Sequence, residues 1–162
     1  MDIQFNDFKK DYEVHEREYS DAVKRVMGSG WYILGGEVKN FEEEFAKYLG
    51  VKYCVGTANG LEAIQIVLMA YEIGPGDEVI TTPISAVATT LAILAVGATP
   101  LFADVDERGQ INTNLIEKLV TKRTKAILPV DLYGQPCDLI AIRNICEAHK
   151  FNLIEDACQA HG

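Results

Sequence analysis

Glu78-Val79-Ile80-Thr81, followed by an apolar segment from 86 to 96 and then by Thr99-Pro100-Leu101-Phe102-Ala103, decides the architecture of this chain. A short run rich in β-branched residues, a longer run of helical length and a second short run read as strand, helix and strand. The turn signal Gly74-Pro75-Gly76-Asp77 separates the first of these strands from what precedes it. Neighbouring parallel strands need a crossover between them, usually a helix, so this order predicts a parallel pair.

The same unit repeats in both directions. Downstream, Asn112 reads as the N-cap of a helix reaching Val120, followed by a strand over 125–130. A further helix begins near Asp138 with Leu139, Ile142 and Cys146 on its apolar face, and a strand over 151–155 follows. Upstream, a helix over 60–71 turns Leu61, Ile64, Val67 and Leu68 inward, and a strand is expected over 52–56. A helix over 37–49 carries Val38, Phe41, Phe45 and Tyr48 on one stripe, with Gly50 as its C-cap. The first helix places Phe8, Tyr12, Tyr19, Val23 and Val26 on one face and stops near Gly28-Ser29-Gly30. The pattern predicts an α/β fold, a three-layer α/β/α arrangement whose mainly parallel sheet is covered on both faces. Only the amino-terminal helix pair is free to dock outside that core.

Composition narrows the function. The 162 residues suit one domain, and 48% apolar residues supply a sizeable core. A net charge of −9, with 15 scattered Lys and Arg, argues against a nucleic-acid surface and for a small-molecule partner. The amino end lacks the basic patch and apolar run of a signal peptide, and the 84–96 stretch is broken by Ser85, Thr89 and Thr90 and too short to span a bilayer. A soluble, cytoplasmic protein is expected. Cys54, Cys137, Cys146 and Cys158 show neither metal-ligand spacing nor a disulfide framework, so no metal site is expected and buried thiols are the plain reading.

Two segments carry candidate chemistry. Gly56-Thr57-Ala58-Asn59-Gly60-Leu61 separates strand from helix with small residues whose N–H groups face open space. Such a turn is either an ordinary connection or a cradle for an anion such as phosphate, although it is neither G-x-G-x-x-G nor a P-loop. Leu153-Ile154-Glu155-Asp156-Ala157-Cys158-Gln159 delivers an acid and then an amide beyond the carboxyl end of a strand. Open α/β sheets bind ligands there, so Asp156 either caps a following helix or sits beneath a cationic ring nitrogen.

Five ordered motifs join these segments: Ser29-Gly30-Trp31-Tyr32-Ile33-Leu34-Gly35, Thr57-Ala58-Asn59-Gly60-Leu61-Glu62-Ala63, Gly74-Pro75-Gly76-Asp77-Glu78-Val79-Ile80, Leu132-Tyr133-Gly134-Gln135-Pro136 and Glu155-Asp156-Ala157-Cys158-Gln159-Ala160-His161-Gly162. Together they resemble the amino-terminal part of the DegT/DnrJ/EryC1/StrS family of sugar aminotransferases. The resemblance implies the aspartate-aminotransferase type of fold (PLP fold type I), with residues 1–162 as the amino-terminal part of a truncated large domain and 1–36 as a helical and loop segment ahead of it. It implies pyridoxal 5'-phosphate as cofactor, a nucleotide-linked keto sugar as substrate, glutamate as amino donor and a homodimer. Asp156 would pair with the pyridine nitrogen and Gln159 with the ring hydroxyl. Asn59, Gly60 and Leu61 would offer backbone groups to the phosphate, and Trp31 and Tyr32 would line a sugar or nucleotide pocket unless they pack locally. The Asn-Gly-Leu turn resembles the branch acting at C3 of dTDP-linked 3-keto-6-deoxyhexoses, and lipopolysaccharide, surface-glycan and antibiotic sugars are all candidate pathways.

The chain also departs from the family. Ala86 stands where relatives commonly stack an aromatic ring on the cofactor, and Asp131 stands where they often have His. The Schiff-base lysine, expected downstream of the acid, matches no lysine present, so no catalytic residue is assigned within this chain and it is expected to be inactive alone, as part of a longer enzyme. Two other readings remain: a dehydratase of the same family with His in place of that lysine, and a non-catalytic module binding a nucleotide in the 56–60 turn. A Rossmann dehydrogenase is the least favoured, since its glycine fingerprint is absent.

Overall fold

The structure is a computed structural model that describes residues 6–161. It divides into two compact units, Met1–Gly56 and Thr57–Gly162.

The first unit is helical. Helix α1 spans Phe8–Ser29, opened by the Asp7 carboxylate accepting from Lys10 N–H, kinked at His15 and closed by Gly30 in the left-handed region. Its expected apolar face exists but is not buried: Phe8, Tyr12, Tyr19 and Val23 are all exposed. The rings of Tyr12 and Tyr19 stack on each other instead, and the Tyr19 hydroxyl donates to Asp11. Helix α2 spans Gly36–Leu49 and ends as expected at Gly50, whose positive φ lets the chain turn while Val51 N–H reaches back to Ala46. The strand expected over 52–56 does not form. Tyr53 and Val55 alternate as a strand would, but no strand forms among the described residues of this unit, which therefore offer no sheet edge to pair with. Gly56 N–H bonds to the Glu42 carboxylate instead.

The second unit holds the sheet. Helix α3 (Gly60–Ala70) leads to strand β1 (Glu78–Thr81), helix α4 (Val87–Ala95) and strand β2 (Thr99–Phe102). The short helix α5 (Thr113–Ile116) leads to β3 (Thr124–Leu128), α6 (Leu139–His149) and β4 (Asn152–Leu153). The helix expected to reach Val120 tightens into a 3-10 turn over Glu117–Leu119, and β4 is shorter than expected, although an isolated parallel bridge joins Val130 to Asp156 beyond it. The strand order is β2-β1-β3-β4 and every pairing is parallel. Pro100, which has no N–H to give, lies on the edge strand β2.

Strand alternation sorts the core into two layers. Val79, Ala126 and Leu128 pack with Ile64 and Leu68 of α3 and Ala92 and Ile93 of α4. Ile80 and Ile127 face the other way, onto Ile116 of α5 and Ile142 and Cys146 of α6. Helices therefore cover both faces, which is the expected three-layer α/β/α arrangement. Its functional consequence is local: β1, β3 and β4 all run toward one rim, where Thr82 to Ala86, Val130 to Leu132 and Glu155 to Gln159 emerge together. Among the described residues, no helix is long and apolar enough to cross a membrane.

Candidate active site

At that rim four segments enclose a cavity of about 450 Å³. The amino end of α3 supplies Asn59, Gly60 and Leu61; the β1–α4 connection supplies Ser85 and Ala86; the segment after β3 supplies Asp131 and Leu132; the segment after β4 supplies Asp156, Cys158 and Gln159. All six residues expected at the cofactor, Asn59, Gly60, Leu61, Ala86, Asp156 and Gln159, line this one space.

Asp156 is fixed through its backbone. Its N–H donates to Pro129 O at 3.0 Å, and its carbonyl accepts from Asp131 N–H at 3.0 Å, so the β3 extension grips it from both sides. Its carboxylate accepts from Thr89 Oγ1 at 3.2 Å and from Cys158 N–H at 3.3 Å. Among the described residues no helix follows Asp156, and its half-buried side chain lines the cavity. The carboxylate in turn pushes the neighbouring Cys158 thiol up to about 11, through a hydrogen bond first and then through burial.

The α3 terminus has the form of an anion cradle. Asn59 is extended, and its side chain accepts from Glu62 N–H at 2.9 Å, which fixes the first turn. The Gly60 and Leu61 N–H groups, ahead of the first intrahelical bond, face outward as helix starts dictate. A Cβ on Gly60 would lie 2.9 Å from Cys158 Sγ, so a side chain there would require the exposed cysteine to turn aside.

Gln159 is oriented by the 3-10 turn Leu132–Gly134. Tyr133 adopts a left-handed φ of 59° and aims its N–H at Gln159 Oε1, 2.7 Å away. With its oxygen committed, Gln159 has its amide nitrogen left to donate to a ligand. Asp131 is 2% exposed and accepts from Cys137 N–H at 2.8 Å, which closes the loop behind this turn. Burial, and then the adjacent Asp131 carboxylate, raise the Glu155 carboxyl above its usual range, with Arg143 opposing.

Trp31 and Tyr32 lie in the other unit and are exposed, at 65% and 57%. Their recorded bonds are local: Trp31 N–H donates to Ser29 Oγ, and the Tyr32 hydroxyl to Met27 O. The sequence alone assigned Ser85, Thr89 and Cys158 no role at this site, and Cys158 is exposed rather than the buried thiol expected. The signal for the first two was present, as hydroxyls four residues apart in an otherwise apolar segment. A larger cavity of about 610 Å³ runs along 105–108 and 111–114, but its Asp106 is already bound by Arg108.

The model of the DegT/DnrJ/EryC1/StrS aminotransferase family matches residues 13–162. The chain belongs to that family. Among its DegT/DnrJ/EryC1/StrS relatives is the dTDP-3-amino-3,6-dideoxy-alpha-D-galactopyranose transaminase of Aneurinibacillus thermoaerophilus, 47% identical over 161 residues, which cover 99% of this chain and 44% of that protein. The crystal structure of S. venezuelae DesV in complex with a ketimine intermediate superposes with a TM-score of 0.96 at 43% identity, over 99% of this chain and 43% of DesV. That of NtdA from Bacillus subtilis with bound cofactor PMP gives a TM-score of 0.89 at 37% identity, over 91% and 34%. The chain spans less than half the length of each. The fold is accordingly that of the PLP aminotransferases, as the family resemblance implied.

The cavity suits a pyridoxal-type cofactor on its own chemistry. It offers the Asp156 carboxylate for a cationic ring nitrogen, one helix start for a phosphate and apolar walls from Ile64, Ala88, Val130 and Leu132 for a flat ring.

Proposed function

We propose that the full protein is a pyridoxal 5'-phosphate-dependent aminotransferase that moves the amino group of glutamate onto a nucleotide-linked keto sugar, a dTDP-linked 3-keto-6-deoxyhexose being the favoured substrate. The observation that carries this reading is the convergence of Asp156 and the α3 start on one cavity with apolar walls. Identity to a dTDP-3-amino sugar transaminase supports the substrate class, and a relative with bound PMP supports the cofactor.

In this reading the cofactor supplies an electron sink for the substrate carbanion. Asp156 holds the ring nitrogen as a cation, and Gln159 donates to the ring hydroxyl. The N–H groups at Gly60 and Leu61, with Asn59 fixing the turn, hold the phosphate. Ala86, which lines the cavity, would meet the cofactor ring at the position where relatives commonly place an aromatic side chain. Trp31 and Tyr32 contact the sugar nucleotide. The lysine that bonds the cofactor comes from outside these 162 residues, which form the amino-terminal part of the large domain of a homodimer.

The test is an incubation of the full-length gene product with pyridoxal 5'-phosphate, glutamate and a dTDP-linked 3-keto-6-deoxyhexose. Amino sugar nucleotide and 2-oxoglutarate should appear in equal amounts. A deoxygenated sugar formed without glutamate consumption would assign the dehydratase instead.

A further inference from the structure

Thr89 is 1% exposed, in the first turn of α4, yet its hydroxyl does not bond to a local carbonyl as threonines in helices ordinarily do. It reaches across 67 positions to the Asp156 carboxylate, 3.2 Å away. Ser85 Oγ stands 2.8 Å from the same Thr89 oxygen. The proton directions in this chain follow from valence. An ionised carboxylate only accepts, so Thr89 gives its single proton to Asp156, and Ser85 must then be the donor to Thr89. Two hydroxyls therefore point one way, Ser85 to Thr89 to Asp156, and each bond polarises the next.

From this geometry we infer that Thr89, seconded by Ser85, is a positioning residue that aims the Asp156 carboxylate at the ring nitrogen of the cofactor. The inference rests on the function proposed above. The backbone bonds at Asp156 fix where its Cα lies but leave rotation about the side chain open. Cys158 N–H holds one oxygen and Thr89 the other, so the carboxylate plane is set by donors from two different segments. Removing Thr89 Oγ1 leaves the carboxylate held by Cys158 alone. The Asp156 anion then swings toward water, and its interaction with a cation in the cavity weakens while the phosphate end of the site is untouched.

The experiment uses the full-length gene product without cofactor. The affinity of wild type, Thr89→Val, Thr89→Ser and Ser85→Ala is measured for pyridoxamine 5'-phosphate and for its analogue with carbon in place of the ring nitrogen. Wild type should prefer the nitrogen-bearing ligand. Thr89→Val should lose most of that preference, about tenfold in relative affinity, with the analogue bound as well as before; Thr89→Ser should retain it, and Ser85→Ala should lose a part. A general packing defect would weaken both ligands alike and leave the preference intact, which would overturn the inference while sparing the cofactor assignment. Absence of binding or of preference in wild type would overturn the proposed role of Asp156 and this inference with it.

Discussion

Gly60 and Cys158 are in mutual contact at the mouth of α3, so close that a methyl group on Gly60 would lie 2.9 Å from the cysteine sulfur. One residue opens the helix that faces the cavity, and the other follows the acid. The two ligand-facing segments approach each other closely at this point.

That contact predicts a coupling between the two positions. In wild type, Gly60→Ala should be close to neutral, because turning the exposed Cys158 side chain out of the way costs about 0.5–1.5 kcal/mol against a helix-propensity gain of about 0.5–1 kcal/mol. In a Cys158→Ala background the same substitution should stabilise, since only the propensity gain remains. Denaturant unfolding of the four proteins of this cycle measures it, and equal effects in both backgrounds would refute the coupling.

Asp156→Asn keeps the shape of the side chain and removes its charge. Hydrogen bonds to a charged group contribute about 1.5–3 kcal/mol, so affinity for pyridoxamine 5'-phosphate should fall between about tenfold and a hundredfold. Affinity for inorganic phosphate, measured by calorimetry, should be unchanged.

The cysteines give a pH prediction. Cys158 is exposed, yet its thiol is pushed up to about 11 by the Asp156 carboxylate, so it should react slowly with iodoacetamide at pH 8. In Asp156→Asn the thiolate is easier to form and alkylation should accelerate. Peptide mass analysis over time separates Cys158 from the others.

Burial raises Cys137 to about 12 and Cys146 to about 11, against 9.0 for an ordinary thiol. Both groups hold their protons more tightly when folded. Their contribution to stability is complete below about pH 9, where the unfolded thiols are still protonated, and is lost as pH rises through 11 to 12. Cys137→Ser/Cys146→Ser should therefore show a shallower loss of stability from pH 9 upward in urea titrations than wild type.

The sheet was legible because its apolar runs are short, bounded by turn residues and spaced by helical segments, and strands such as Glu78–Thr81 lie where the pattern put them. The 52–56 strand was misread because alternation at Tyr53 and Val55 reports a preference that only a neighbouring edge can satisfy. The exposed stripe of α1 shows the same limit, since amphipathicity says which face is apolar and not what covers it. Within the site, Asp156 and Asn59 stood out by residue type at the ends of elements. Thr89 did not, because its partner is 67 positions away and no local pattern encodes that bond.

The sheet order β2-β1-β3-β4 also governs when the cavity exists during synthesis. Its walls come from residues near 60, 86, 131 and 156, and Asp156 is held by bonds to Pro129 and Asp131 of the preceding strand extension. Contacts of such long sequence separation close late, after loop entropy has been overcome. A nascent chain therefore has its helices and its first parallel pair before it has any place to bind a ligand, and ligand capture marks the completion of this unit rather than its nucleation.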